Sequence, residues 1–317
     1  MTRARPAILF CSLLTTFLLA GEPAVPPAPE GTKAVPFKIV SNRLFIPVRI
    51  NGAVECEGII DTGSEVTLMN LARVKVADLK VLGTQQLEGS FVGGLGAQRA
   101  VADALKLGEH EYPQVALGAF RHGPGQALER VDFILGMDFL GRSPFSLELA
   151  NGRMLLWPFR AKLPDPPEGI ERAALPTHRS PADSTTRPRV YGSVNGARTP
   201  FLVDTGAESL LFAALKAPAD LGLDPLGALA GYAQVNDGGQ ARRVELRAAT
   251  FEKVEFGTMR FEKTAGRVLD AAQLKSPLAR QDLAAYYNVV GFAFLKDLYA
   301  VHFDLPGQRI YFDRKKP

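Results

Sequence analysis

The chain has 317 residues, of which 46% are hydrophobic and 22% are charged, a composition typical of globular rather than disordered or fibrous proteins. Its net charge is only +4, from 37 basic and 33 acidic side chains, and the sequence has no block of basic residues. These values argue against binding to nucleic acid or to an anionic membrane surface. The length is sufficient for two domains of ordinary size.

The first 21 residues have the pattern of an export signal. Arg3 and Arg5 precede an apolar segment, Ala7 to Ala20, which is shorter than the roughly 20 apolar residues that a membrane-spanning helix needs. We therefore expect residues 1–21 to be removed and the protein to be exported, either periplasmic or secreted. Retention of this segment as an N-terminal membrane anchor is the alternative.

Composition divides the rest of the chain into four segments. Residues 22–36 are rich in Pro and Ala and predict an extended tether. Residues 158–189 contain seven prolines and predict a linker between two domains. The two predicted domains are then residues 37–157 and residues 190–317.

If Cys11 is removed with the signal, Cys56 is the only cysteine of the mature chain. An exported domain with a single cysteine has no internal disulfide, so its stability must come from its apolar core. Cys56 lies in a predicted strand with no histidine near it in sequence. This context favours a buried structural thiol over a nucleophile.

The first domain begins with two predicted strands, residues 44–50 and 54–60, joined by an Asn-Gly pair at 51–52, which is a strong hairpin signal. The second strand has an apolar end and runs directly into Asp61. Farther along the chain, residues 87–96 combine strand-forming residues with many glycines, which predicts a mobile hairpin.

The second domain repeats this order of elements. Another Asn-Gly pair, at 195–196, separates two predicted strands, and the second strand runs into Asp204. Residues 229–245 correspond to the Gly-rich hairpin. The leucine spacing over residues 268–287 predicts a helical insertion that the first domain lacks.

Two motifs occur once in each domain. The first is an Asp-Thr-Gly turn after an apolar strand, and the second is a pair of apolar residues followed by Gly. A single Asp-Thr-Gly has little meaning, whereas two copies at the same place in a long repeat are hard to obtain by chance. The turns are Asp61-Thr62-Gly63-Ser64 and Asp204-Thr205-Gly206-Ala207, and the apolar segments are Ile134-Leu135-Gly136 and Val289-Val290-Gly291.

Asp61 and Asp204 are the candidate catalytic residues. Because Gly accepts backbone torsions that other residues resist, an Asp-Thr-Gly turn can hold its carboxylate in a fixed position. Two facing carboxylates share one proton, since both cannot easily be ionised at close range. The ionised member can activate water while the protonated member polarises a carbonyl. A structural role for each Asp, as the cap of its turn, is the alternative.

These motifs resemble those of the pepsin- and retropepsin-type aspartic proteases, and the resemblance covers both domains. It implies two acid-protease-type β lobes, related by internal duplication, with one active site between them. It also implies that the hydroxyls of Thr62 and Thr205 lock the two turns together and that Gly63 and Gly206 complete the turns. The apolar-Gly segments would pack behind the turns and brace the lobes.

In that family, a hydroxyl after the Gly of the turn can donate a hydrogen bond to the outer oxygen of the catalytic carboxylate. Ser64 occupies this position in one turn and Ala207 in the other. We therefore hypothesise that Asp61 is the better stabilised anion and that Asp204 more often carries the shared proton.

The resemblance also implies a flap that covers the substrate. The candidate flap residues are Phe91 in the first Gly-rich hairpin and Tyr232 in the second, and ordinary hairpin packing is an equal alternative for both. The lobes are short compared with those of pepsins and lack the pepsin disulfides. These departures leave the substrate and the cleavage preference open.

We expect neither a cofactor nor a bound metal. The histidines lack the spacing of metal ligands, and the Gly-rich segment 93–96 lacks the strand–helix context of a dinucleotide fingerprint. The histidines are His110, His122, His178 and His302.

The sequence thus predicts an all-β protein, mostly strands with short helices, made of two similar lobes. We expect it to be an aspartic endopeptidase that acts on peptides or unfolded proteins, with the lobes paired within one chain and the monomer favoured. Two alternatives stay open: a catalytically inactive peptide-binding protein of the same fold, and a protease that is active only as a homodimer.

Overall fold

The structure is a computed structural model that describes residues 25–87, 95–120, 131–178, 187–214, 218–223, 226–237, 240–276 and 288–316. Side chains are described in these ranges except at 84–87, 95–97, 234–237 and 240–241. The predicted export signal at 1–21 and the flap candidate Phe91 lie outside the described residues. Within the described part of the chain, no helix is both long enough and apolar enough to cross a membrane.

Short strands build the first lobe, and their sequences show why. Along the strand that contains Leu44, Ile46 and Val48, these buried residues alternate with more exposed ones, as expected for one covered sheet face. Two short helices, α1 (Leu71–Val74) and α2 (Met137–Leu140), complete the lobe. The strands are β1 (Lys33–Pro36), β2 (Lys38–Val40), β3 (Arg43–Ile50), β4 (Val54–Ile60), β5 (Leu68–Asn70), β6 (Lys80–Leu87), β7 (Leu95–Leu107), β8 (His110–Phe120), β9 (Phe133–Leu135), β10 (Phe145–Glu148) and β11 (Arg153–Leu156).

The second lobe repeats this pattern, and its described residues include the short helix α3 (Phe292–Leu295). The Asn-Gly turns predicted in both lobes are confirmed, because Asn51 and Asn195 have φ values of 50° and 47° in the left-handed region that such hairpin turns require. The strands are β12 (Ile170–Pro176), β13 (Arg189–Val194), β14 (Ala197–Asp204), β15 (Leu211–Ala214), β16 (Leu229–Asp237), β17 (Gln240–Phe256), β18 (Met259–Asp270), β19 (Val289–Gly291), β20 (Ala300–Asp304) and β21 (Arg309–Lys315).

Each lobe has its own sheet, and seven strands follow the same order in both, with β2 as an additional edge strand in the first. The strand orders are β2-β3-β4-β9-β5-β8-β7-β6 in the first lobe and β13-β14-β19-β15-β18-β17-β16 in the second. In each sheet, the strand that leads into the Asp-Thr-Gly turn (β4 or β14) pairs in parallel with the apolar strand that ends at Gly (β9 or β19). The predicted all-β fold with two duplicated lobes is therefore confirmed.

A third sheet joins the lobes in the order β1-β11-β10-β20-β21-β12. At its centre β10 of the first repeat pairs with β20 of the second, and the rings of Phe145 and Phe303 stack with centroids 4.5 Å apart. The edge strand β12 lies inside the segment predicted as a linker and pairs with β21 along its whole length. Part of that Pro-rich segment is therefore ordered structure.

A buried polar network lies in this joining sheet. The Ser146 hydroxyl accepts a hydrogen bond from Trp157 Nε1 at 2.7 Å and lies 2.7 Å from His302 Nδ1. His302 Nε2 lies 3.0 Å from Asp313 Oδ2, and both Asp313 oxygens accept hydrogen bonds from Arg172 at 2.7 Å. Burial acts to raise the pKa of Asp313, but the hydrogen bonds from Arg172 and His302 outweigh it, so the pKa is lowered.

The predicted helical insertion over residues 268–287 is wrong in its first part. Val268–Asp270 is the end of β18, and Val268 and Leu269 are buried on opposite faces of the sheet in separate apolar clusters. Burial on alternate faces has the period of a strand, which leucine spacing alone does not show. Residues 277–287 lie outside the described residues.

The thiol of Cys56 on β4 is partly buried. Burial, and then the charge of Asp132, raise the pKa of this thiol to about 11. A thiol that stays protonated at neutral pH is a poor nucleophile, which supports the structural interpretation of Cys56.

We predict that Asp313→Asn lowers the free energy of unfolding by about 3 kcal/mol or more, because removal of one partner from a buried ion pair leaves the other charge uncompensated. The pKa of Asp313 is lowered in the folded state, so its stabilising effect is present above the ordinary aspartate pKa and is lost as the pH falls through the folded-state pKa. Chemical denaturation at about pH 7 and about pH 2 tests both points, and the two proteins should differ less at the acid pH.

Glu171→Gln is the matched control for this substitution. Glu171 pairs with Arg314 across the same two strands, but both side chains are partly exposed, and such pairs contribute about 1 kcal/mol or less. An equal loss of stability in the two variants would contradict the importance of the buried network.

Candidate active site

Backbone N–H groups fix the first turn. Directly after β4, Asp61 N donates a hydrogen bond to the carbonyl of Leu135 at 3.1 Å. The side-chain Oδ1 of Asp61 accepts hydrogen bonds from the N–H groups of Gly63 at 2.9 Å and Ser64 at 3.1 Å. One oxygen of the carboxyl group is thus held by the turn itself, which sets the orientation of the whole group.

The second turn has the same hydrogen bonds. Asp204 is the last residue of β14 and lies opposite Gly291 of β19. Its Oδ1 accepts hydrogen bonds from the N–H groups of Gly206 at 2.8 Å and Ala207 at 3.0 Å. The two turns are therefore matching halves of one arrangement, as the repeated motif predicts.

The two turns are tied to each other by their threonines. Thr62 Oγ1 accepts a hydrogen bond from Thr205 N at 3.1 Å and donates one to the carbonyl of Val203 at 2.7 Å. Thr205 Oγ1 accepts from Thr62 N at 3.1 Å and donates to the carbonyl of Ile60 at 2.7 Å. Both threonines have no exposed surface. The structure thus places these residues as the family resemblance implies.

Each turn's glycine lies against the carboxyl group of the other turn. A Cβ atom added at Gly63 would lie 2.3 Å from Asp204 Cγ, and one added at Gly206 would lie 2.4 Å from Asp61 Cγ. Such distances leave no room for a side chain, so close approach is what requires Gly at both positions. The carboxyl groups of Asp61 and Asp204 are close enough for each to shift the pKa of the other.

Burial and mutual proximity raise the pKa of both carboxyl groups. Burial, followed by the charge and hydrogen bond of Asp204, raises the pKa of Asp61 well above its ordinary value. Burial also raises the pKa of Asp204, but the N–H groups of Gly206 and Ala207 and the positive charge of Arg187 act in the opposite direction. The two carboxyl groups therefore hold one proton between them, and their titration belongs to the pair.

The hypothesis about Ser64 is wrong. Its hydroxyl donates a hydrogen bond to the carbonyl of Val66 at 2.8 Å, and a hydroxyl has only one proton to donate. Ser64 therefore does not stabilise the anion of Asp61 through its side chain.

The apolar-Gly segments pack directly behind the turns. A Cβ atom at Gly136 would lie 2.5 Å from the carbonyl carbon of Val66, and one at Gly291 would lie 2.3 Å from the carbonyl oxygen of Ser209. Met137, the first residue of α2, donates a hydrogen bond from its N–H to the carbonyl of Ser64. Phe292, the first residue of α3, donates the equivalent hydrogen bond to the carbonyl of Ala207. The remaining bracing residues, all buried, are Ile134, Leu135, Val289 and Val290.

Two ion pairs that the sequence analysis did not identify cross between the lobes beside the turns. Glu65 pairs with Arg187 at 3.2 Å, and Glu208 pairs with Arg43 at 2.9 Å. Each Glu lies four residues after its Asp, and each Arg lies eight residues before its Asn-Gly turn. The pairs are thus related by the duplication, and the repeated spacing of the Glu and Arg residues was the signal available in the sequence.

The first lobe has an additional carboxylate behind its turn. Asp138 Oδ1 accepts hydrogen bonds from the N–H of Thr67 at 2.7 Å and from its hydroxyl at 2.6 Å. The corresponding residues of the second lobe are Ala293 and Leu210. The loop of Asp61 is therefore braced by a polar contact at a place where the loop of Asp204 has apolar residues.

Tyr232, the second flap candidate, lies on β16. Its side chain is exposed, and the guanidinium of Arg243 lies 3.6 Å from the centre of its ring. Contact between Tyr232 and a substrate stays a prediction.

Comparison with known protein families gives a match in two segments of the chain. The model of a family described as aspartyl protease matches residues 46–139 and 190–282, which contain the two turns and together make up more than half of the chain. The chain belongs to this aspartyl protease family. The match in each repeat supports the resemblance that the two motifs indicated. A search of curated proteins gives no significant match.

Solved structures include a close match in fold to this aspartyl protease. The aspartic proteinase from Irpex lacteus matches with a TM-score of 0.58 at 14% sequence identity, covering 90% of this chain and 98% of that chain. At this identity the likeness concerns the fold, and it confirms the two-lobed architecture.

We predict that Thr62→Val lowers the free energy of unfolding by about 1–3 kcal/mol, because it leaves the buried N–H of Thr205 and the buried carbonyl of Val203 without a partner. Thr62→Ser keeps the hydroxyl and should recover most of this loss. Thermal and denaturant unfolding of the three proteins measure the difference. If the Ser and Val variants are equally destabilised, the hydroxyl does not hold the turns together.

Proposed function

We propose that this protein is an aspartic endopeptidase whose catalytic pair is Asp61 and Asp204. The main support is the reciprocal packing of the two turns, in which each Gly lies against the opposite carboxyl group and the two carboxyl groups meet. Membership in the aspartyl protease family supports the same class of reaction.

In the proposed mechanism, a water molecule between the two carboxyl groups is the nucleophile. Ionised Asp204 accepts a proton from this water as its oxygen bonds to the peptide carbonyl carbon. Protonated Asp61 donates its proton to the carbonyl oxygen, so a neutral tetrahedral diol forms. The carbon–nitrogen bond then breaks as Asp204 passes its proton to the leaving amine and one diol hydroxyl returns its proton to Asp61. The pair thus regains its single proton, and no covalent enzyme intermediate forms.

The raised pKa of Asp61 sets the pH range of this mechanism. Because burial and Asp204 raise that pKa, the shared proton persists above the ordinary aspartate range. Activity is lost at higher pH when the pair gives up this proton and at lower pH when Asp204 takes up a second one. The resulting pH–rate profile is bell-shaped. The apparent pKa values of its two limbs describe the pair of carboxyl groups together and not either residue alone.

We propose that the substrate is an extended peptide that lies across the turns. Residues two apart on a strand share a sheet face, so Ile59 lies on the face that presents Asp61, and Leu202 lies on the face that presents Asp204. Around each of them is an apolar cluster separate from the main core, which offers walls for the substrate side chains next to the scissile bond. Members of these clusters include Phe120, Val131 and Ile134 in the first lobe and Leu211, Leu246 and Val289 in the second.

Export and a monomeric state remain proposals for the working enzyme. Residues 1–21 lie outside the described residues, so the predicted signal stays a prediction. Both turns of the site come from one chain and are joined within it by the threonine hydrogen bonds, which supports the monomer.

We predict that Asp61→Asn and Asp204→Asn each reduce kcat for cleavage of a denatured protein substrate by at least about 10³-fold, because neither variant pair can hold one proton and one negative charge in the required positions. The measurement is peptide release by the wild-type protein and both variants across the acid-to-neutral pH range. Asp103→Asn is the matched control, since Asp103 accepts an exposed hydrogen bond from Gln114 and lies outside the site.

Unchanged cleavage in either catalytic variant would overturn the proposed pair. Peptide binding by the wild-type protein without cleavage at any of these pH values would instead support the inactive peptide-binding alternative.

A further inference from the structure

Arg267 is the cation of the second lobe that lies beside the catalytic loop. It is on β18 opposite Leu211 of β15, and Leu211 and Leu269 belong to the apolar cluster on the face that presents Asp204. Arg267 lies two residues before Leu269, so its side chain leaves the strand on this same face. The guanidinium therefore stands on the substrate-facing side of the sheet.

Two distances place the Arg267 side chain between the catalytic loop and the hairpin. Its Nη2 lies 3.9 Å from Glu208 Oε2, four residues after Asp204. Its Nη1 lies 3.9 Å from the point where a Cβ of Gly231 on β16 would be. Arg267 thus stands at the rim of the apolar cluster, in the gap between the second turn and the base of the second hairpin.

Among the described residues, two guanidinium groups lie near one carboxylate at this rim. Glu208 accepts a hydrogen bond from Arg43 at 2.9 Å, whereas its distance of 3.9 Å to Arg267 is too long for a hydrogen bond. One carboxylate is therefore shared by two guanidinium groups, and the Arg43 side chain is the more buried of them, 15% exposed against 34% for Arg267. Arg267 can turn its planar set of donors to an incoming carboxylate, for which a guanidinium has a matching geometry.

The first lobe has no side chain at the corresponding position. Leu68 and Leu211 each lie seven residues after their Asp, and their strand partners are Gly118 and Arg267. In the first lobe, Arg99 of β7 lies opposite Gly118, one strand farther from Leu68 than Arg267 is from Leu211. The duplication therefore produces a cleft whose two sides differ in charge at one pair of equivalent positions.

We propose that Arg267 is a specificity-determining residue that selects an acidic side chain of the substrate at a subsite against the second lobe. This proposal rests on the proposed endopeptidase function and names its substrate class as peptides with Glu or Asp near the scissile bond on that side. The carboxylate of the substrate binds the Arg267 guanidinium at the rim, and the stem of the side chain packs on the apolar cluster.

The test uses the full-length protein and pairs of fluorogenic peptides. The two peptides of a pair differ in one residue, which is Glu in one and Gln in the other. This residue is placed in turn at each position within about four residues of the cleaved bond. For wild-type protein we expect kcat/KM to favour Glu by about three- to fivefold at one position, mainly through KM, as a partly exposed ion pair allows. In Arg267→Gln the ratio should fall to near one. In Arg267→Glu the same position should favour Lys over Glu.

Arg260→Gln is the matched control. Arg260 lies on the same strand and pairs with Glu262, and both side chains are largely exposed, so its Glu-to-Gln ratio should equal that of the wild type. The proposal is overturned if no position favours Glu, or if Arg267→Gln keeps the wild-type ratio.

Failure of this proposal can be told apart from failure of the proposed function. If the wild type cleaves peptides and Asp204→Asn does not, an unchanged ratio in Arg267→Gln overturns only the role of Arg267. If the wild type cleaves nothing, the endopeptidase function fails. The affinity of the Glu and Gln peptides for the wild type and for Arg267→Gln, measured by fluorescence anisotropy, then still decides whether Arg267 selects acidic ligands.

Discussion

The reciprocal hydrogen bonds between Thr62 and Thr205 are the constraint on which the rest of the site depends. Each hydroxyl accepts from the opposite turn and donates to the strand that leads into the opposite Asp, so neither turn can move without breaking buried hydrogen bonds of both. The glycines then bring each turn against the other carboxyl group. The joining sheet adds a second connection between the lobes, through the pairing of β10 with β20.

Duplication supplies the pair of carboxyl groups, and the two copies differ in their surroundings. Arg187 acts to lower the pKa of Asp204, whereas burial and the facing carboxyl group raise the pKa of Asp61. The same divergence between the repeats places Arg267 in one half of the cleft and Gly118 in the other. A duplicated scaffold thus has two carboxyl groups with different surroundings and two sides that differ in their side chains.

The fold and the catalytic turns were predictable because their signals are local and repeated: an apolar strand, a turn with a required Gly, and an Asn-Gly hairpin before it. The hydrogen-bond partner of the Ser64 hydroxyl was not predictable from the sequence. It depends on whether the Asp61 carboxylate or the Val66 carbonyl is better placed to accept the hydrogen bond. Strand β12 was missed because the Pro-rich segment around it favours a linker, while its hydrogen bonds come from β21, far away in sequence. The ion pair of Glu65 with Arg187 joins separate repeats, so no local pattern reveals which charges meet.

The most direct test of the shared proton is a pH titration of the side-chain carboxyl carbons by ¹³C NMR in aspartate-labelled protein, with Asp61→Asn and Asp204→Asn used to assign the two signals. For the buried pair, we expect the carboxyl carbon of Asp61 to keep the chemical shift of a protonated carboxyl group well above the ordinary aspartate pKa of about 4. We expect the carboxyl carbon of Asp204 to show the chemical shift of an ionised group over the same pH range. Independent titration of both carbons near that ordinary value would contradict the claim that the two turns hold one proton between them.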